Sequence, residues 1–249
     1  MSDLGASFSF PFRDPAWPRR VLVGAVLEVV PIPLVLPVVL GSFGRHHRPG
    51  LGALMLLGAA GCLSLLCRFL VLGYLGRTAK GVLDGASGGL PAWDRPAEDF
   101  VDGLKLWLVA VVLCLPAIAV TAGVALLAMA VASPAAAWLP VVLLGPPALL
   151  VTLAYLPAGL LATVAAGDPF AAFDFERVFA RVVPAFGPYA IAFLVAIAAE
   201  IIAQLGLLIC CVGIFATRFI AHCVAVHAFA AAFRQAPAPV PIRPGEAAI

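Results

Sequence analysis

Residues 106–167 contain not one charged side chain, an apolar reach long enough for two bilayer crossings of ~20 residues each. The same reach holds Pro116, Pro134, Pro140, Pro146, Pro147 and Pro157. Helices surrounded by lipid keep such breakers only where neighbouring helices satisfy the freed carbonyls. The expected fold is therefore an all-α membrane bundle. Composition agrees, with 63% hydrophobic and 11% charged residues against ~25% charged in a soluble domain. A net charge of +2 leaves no basic surface for nucleic acid. The lipid bilayer is the expected partner, and a second copy or other membrane proteins stay open.

The spans read as Val21 to Leu40, Leu51 to Leu72, Leu106 to Ala130, Trp138 to Ala165, Tyr189 to Leu208 and Gly213 to Phe233. Six spans place both termini and the loops at 73–105 and 166–188 on one side. That side carries Arg13, Arg19, Arg20, Arg77, Lys80, Arg95, Lys105, Arg177, Arg181, Arg234 and Arg243, against Arg45 and Arg48 opposite. The excess of basic residues puts both ends in the cytoplasm. Trp17, Trp93, Trp107 and Trp138 fall near span ends, as interfacial rings do. The chain thus divides into an interfacial segment at 1–20, a six-span domain at 21–234 and a Pro-rich tail at 235–249, extended or disordered. Arg19 and Arg20 before an apolar run imitate a twin-arginine leader. The run is too long for a leader's core and lacks a cleavage pattern, so it reads as a retained first span. The weakest boundary is the last turn, where only Gly206 and Gly213 reverse the chain and a re-entrant hairpin is the alternative.

Two segments on the basic side have helical periodicity. In 98–106, Phe100, Val101, Leu104 and Trp107 alternate with Asp99, Asp102 and Lys105. In 170–183, Phe170, Phe173, Val178 and Phe179 oppose Asp174, Glu176, Arg177 and Arg181. Each either lies on the bilayer or extends the following span.

The strings Gly73-Tyr74-Leu75, Leu90-Pro91-Ala92-Trp93-Asp94 and Phe100-Val101-Asp102-Gly103-Leu104-Lys105 resemble the bacterial and archaeal membrane family known as domain of unknown function 4013. Phe173-Asp174-Phe175 and Ala225-Val226-His227 are similar to less specific parts of its pattern. The resemblance runs from Phe8 to Arg234, with an extra apolar segment at about Ser42 to Cys67. It implies a membrane fold and no chemistry.

The candidate polar sites lie inside the spans. Ala192, Ala196, Glu200 and Gln204 share one face of the fifth span, and Arg218, His222 and Ala225 one face of the sixth. Glu200 and Arg218 stand about nine residues either side of the last turn and are expected to pair, because an intramembrane charge costs ~2.5 to 3.5 kcal/mol on insertion scales. A buried pair fixing register is the plainer reading, and a solute or proton path the functional one. Glu28 and Arg68 form a second possible pair, although Arg68 also reaches the headgroups by snorkelling. His227 reads as a hydrogen-bonded packing residue. His46 and His47 lack an accompanying carboxylate or Cys for a metal. Asp94, Glu98, Asp99 and Asp102 imitate a Mg2+ site for headgroup chemistry, but with no phosphate cradle or base they read as a solvated face at a helix start.

Cys62, Cys67, Cys114, Cys210, Cys211 and Cys223 all lie in apolar stretches and are expected to be free thiols. Ala117, Thr121 and Ala125 form a small-residue stripe suited to close helix packing. No cofactor is expected. The chain therefore reads as a non-catalytic membrane assembly or partner module, with a transporter or channel as the alternative and a headgroup enzyme third.

Overall fold

The computed structural model describes residues 4–30, 32–33, 51–86, 88–131, 138–208 and 213–236. Those residues form helices and turns without a strand among them. Helix α1 spans Leu4–Ser9, α2 Trp17–Val29, α3 Leu51–Leu83, α4 Pro96–Val131 and α5 Trp138–Ala166. Then come α6 at Phe175–Val182, α7 at Phe186–Gln204 and α8 at Gly213–Gln235. Short 3-10 turns at Phe10–Phe12, Pro169–Phe173 and Leu205–Leu208 join them.

Five helices, α3, α4, α5, α7 and α8, are long and apolar enough to cross a membrane. The chain is a helical membrane protein. The sixth expected span begins with α2, but its outer part from residue 34 lies outside the described residues, as do His46, His47 and the tail from 237.

Length explains the shape. At 1.5 Å per residue, α3 and α4 are each about 50 Å long, well beyond a ~30 Å hydrocarbon core. Both therefore project from the bilayer at the end where they meet, and that overhang carries the charged residues. The segment at 98–106 is thus the first turns of α4, continuous with its span. The segment at 170–183 is different, because Asp168 and Asp174 cap two separate short elements. Their carboxylates accept from the backbone N–H groups of Phe170 at 3.0 Å and Arg177 at 3.1 Å. On α6, Val178 points into the core, Phe175 and Phe179 are half-exposed and pack on the Tyr155 ring, and Val183 just beyond the helix is exposed.

Helix α8 is the centre of the bundle. Over its most apolar stretch 44% of residues are buried, against 17% in α4. It packs on α2, α3 and α7, with Phe219, Cys223, Val224 and Ala230 almost fully enclosed. The amino-terminal segment also docks on α8. Phe10 stacks on the His227 ring at a centroid separation of 4.4 Å, and Ser7 Oγ lies 3.1 Å from His227 Nδ1.

The last hairpin consists of two full-length helices. Thr217 donates to the Ala203 carbonyl at 2.8 Å, and Gly206 leaves room for Thr217 and the Gly213 backbone, which a Cβ would strike. Residues 209–212, with Cys210 and Cys211, lie outside the described residues. Cys62, Cys67, Cys114 and Cys223 are free. In the small-residue stripe Ala117 is buried, and Thr121 meets α5 at Gly145, where a Cβ would stand 3.3 Å from Thr121 Cγ2. Leu113, on the same face, is also inside.

Candidate functional site

The charged end is built on one helix crossing. Gly73 of α3 lies against the backbone of Asp99, and Gly103 of α4 against the Phe69 carbonyl, so closely that a Cβ at either position would overlap the opposing main chain. The two glycines let α3 and α4 touch backbone to backbone. The crossing brings Asp99 under Arg77, one turn further along α3.

Arg77 then joins three segments. Its Nη1 donates to Asp94 Oδ1 at 2.7 Å, and its Nη2 to the Ala92 carbonyl at 2.7 Å and to Asp99 Oδ2 at 2.8 Å. The Asp99 side chain is 2% exposed, a depth at which a carboxylate needs a cation. The hydrogen bond from Arg77 holds the Asp94 carboxyl below its usual pKa.

Beside Arg77, Tyr74 donates from its hydroxyl to the Pro91 carbonyl at 2.9 Å and stacks on Trp93 at 4.0 Å between centroids. Trp93 donates in turn to the Arg20 carbonyl at 3.0 Å, which ties the 84–95 loop to α2. Asp14 pairs with the Arg20 side chain. Arg234 of α8 closes the end by donating to the Val82 carbonyl at 3.0 Å. Arg181 of α6 donates to the Phe233 carbonyl at 3.3 Å and lies over the Phe233 ring, and burial lowers its pKa.

A second polar centre lies within the bundle, between α2, α3, α7 and α8. His222 stands between two carboxylates, with Nδ1 3.5 Å from Glu28 Oε1 and Nε2 3.4 Å from Glu200 Oε1. The Glu28 side chain is 8% exposed, and its Oε1 has no hydrogen-bond partner among the described residues. A cleft of about 90 Å³ opens beside it, lined by Glu28, Ser64, Cys67, Arg68 and Arg218. Two carboxylates and an imidazole can exchange protons in such a place, and the two guanidinium groups, always charged, can hold water or balance charge beside them.

A family model described as a protein of unknown function, DUF4013, matches residues 56–212. The chain belongs to that family. Neither a curated protein nor a solved structure matches it.

The DUF4013 match takes in all three central motifs but starts well after Phe8 and stops before His227. It also includes residues 56–67, and α3 runs unbroken from Leu51 through the motif Gly73-Tyr74. From residue 51 onward the extra apolar segment is therefore the first half of α3.

Within the motifs, Leu90 and Tyr74 are fully enclosed. Phe100 meets Phe69 edge to face, and Lys105 pairs with Asp102 at 2.9 Å. Trp93 packs on Tyr74. The acidic cluster faces cations, with Asp94 and Asp99 on Arg77 and Glu98 on Arg95 at 3.4 Å.

The expected Glu200–Arg218 pair does not form, and Glu200 meets His222 instead. The cause is rotation. Thr217 is the residue locked onto α7, and Arg218 lies ~100° further round α8, on the cleft that also contains Glu28 and Arg68. Glu28 and Arg68 share that cleft without a direct ion pair. Gln204 is exposed at the end of α7. Sequence reading missed Arg77 as the organising residue and Phe219 as the ring beneath Tyr74 and Trp93. The spacing of Tyr74 and Arg77, three residues apart on one helix face, was the available signal.

Proposed function

We propose that this DUF4013 chain is a non-catalytic module of the cytoplasmic membrane, with both ends in the cytoplasm, whose charged end is a fixed platform for other membrane components. The observation that carries this reading is the engagement of Arg77 with Asp94, Asp99 and the Ala92 carbonyl. Two of the four carboxylates that would serve a metal-dependent headgroup enzyme, Asp94 and Asp99, are committed to holding α3, α4 and the intervening loop together, and Glu98 and Asp102 pair with the neighbouring Arg95 and Lys105. The orientation rests on the basic residues gathered at that end.

Reporter fusions at Gln235 and at His47 test the orientation and should report opposite sides. A carboxyl-terminal reporter active outside the cytoplasm would contradict it. A photo-crosslinking residue in place of Arg95 tests the platform. It should give a discrete heavier adduct in cells, and one in place of Leu54 should not. Equal labelling from both positions would count against a platform.

A second reading is favoured by the Glu28–His222–Glu200 row, which has the composition of a proton path through the bundle. Proton flux into vesicles containing the protein separates the two readings.

A further inference from the structure

The segment between α5 and α7 belongs to neither span. The apolar length of α5 ends at Ala166 and that of α7 begins at Phe186. Between them the chain forms the turn Pro169–Phe173 and the separate helix α6, capped by Asp168 and Asp174. At about 100° per residue, Phe175, Val178, Phe179, Val182 and Val183 fall within one arc of about 140°, and Arg177 and Arg181 lie on the opposite side.

The bundle covers only one edge of that arc. Val178 is buried, and Phe175 and Phe179 rest on the Tyr155 ring of α5 at 5.1 and 5.4 Å between centroids, yet both stay half-exposed. Beyond them Val183 is 64% exposed, and Phe170 and Phe186, before and after α6, are 76% and 70% exposed. The position of this apolar edge decides what covers it. Phe186 is the first residue of one span and Phe170 lies one short turn beyond the end of another, so the edge continues the lipid-facing surface of the bundle at the level where acyl chains give way to headgroups. Charge does not favour another occupant. Asp174 and Glu176 balance Arg177 and Arg181, which leaves α6 without a net charge for an acidic or a basic partner.

We propose that α6 lies in the bilayer interface, with Phe170, Phe179, Val183 and Phe186 against the upper acyl chains and Arg177 among the headgroups. Arg181 ties this interfacial helix to the centre of the bundle by donating to the Phe233 carbonyl of α8 at 3.3 Å. The placement is independent of which side of the membrane the charged end faces.

The test uses the native full chain in phosphatidylcholine vesicles that include a phosphatidylcholine with a photoactivated carbene precursor high on one acyl chain. Adducts are located by mass spectrometry. Phe170, Phe179, Val183 and Phe186 should be labelled, as should Leu194 within the α7 span, and Arg177 should not. Replacing part of the lipid with phosphatidylglycerol should leave the pattern unchanged. Labelling of Leu194 without Phe170 and Val183 would mean that the edge faces water or a second copy of the chain, and would overturn the proposal. Equal labelling of Phe179 and Arg177, or labels on the edge that appear only with phosphatidylglycerol, would overturn it as well.

Discussion

At the residue scale, Arg77 and Asp99 depend on each other unequally. Arg77 keeps some contact with water, but Asp99 is enclosed, so removing the arginine strands a carboxylate in the helix crossing. Arg77→Gln should lower stability by about 3 kcal/mol, the lower end for a broken buried pair because one partner is partly solvated. Adding Asp99→Asn should recover much of that loss in a detergent melt. Losses that simply add would mean the two residues are not coupled. The same reasoning applies within the bundle. Glu200 and His222 should show a coupling of about 0.5 kcal/mol in a double-mutant cycle, modest because Glu200 is 43% exposed. Glu200 and Arg218, which do not touch, should be additive.

At the element scale, the crossing of α3 and α4 depends on the missing side chains at Gly73 and Gly103. Gly73→Ala or Gly103→Ala drives a methyl group into main chain that has nowhere to move, and should cost at least the 1 to 3 kcal/mol typical of overpacking. Gly58 and Gly123 face open space on the same two helices. Alanine at those positions should be neutral or stabilising by about 0.5 to 1 kcal/mol. Melting curves of the four variants should therefore fall into two groups, and uniform behaviour would mean that the crossing is not set by its glycines. The spans themselves were legible because uncharged apolar stretches of bilayer length have few other solutions. Their overhangs were not, since hydropathy stops where charges begin while α3 continues to Leu83 and α4 starts at Pro96. Facing was also hidden. Equal distance from the last turn put Glu200 and Arg218 at similar depth, but the rotation fixed by Thr217 and Gly206 decides which side chain meets α7.

At the scale of the whole molecule, the polar residues form two groups with different surroundings. The charged end is a network in which Tyr74, Arg77, Trp93 and Asp99 bind loops and helices into one unit, and its motifs were visible as strings before their contacts were known. The inner group, Glu28, His222 and Glu200 with Arg68 and Arg218, brings together candidates from four helices that sequence spacing had paired differently. A non-catalytic module requires this inner group to hold the bundle together and to carry no solute. Proton entry into vesicles containing the purified protein, followed with an internal pH dye under an imposed gradient, tests that most directly. Native protein and His222→Asn should both acidify the lumen no faster than protein-free vesicles. A flux through the native protein that is lost in His222→Asn would contradict the module and make the inner row a proton path.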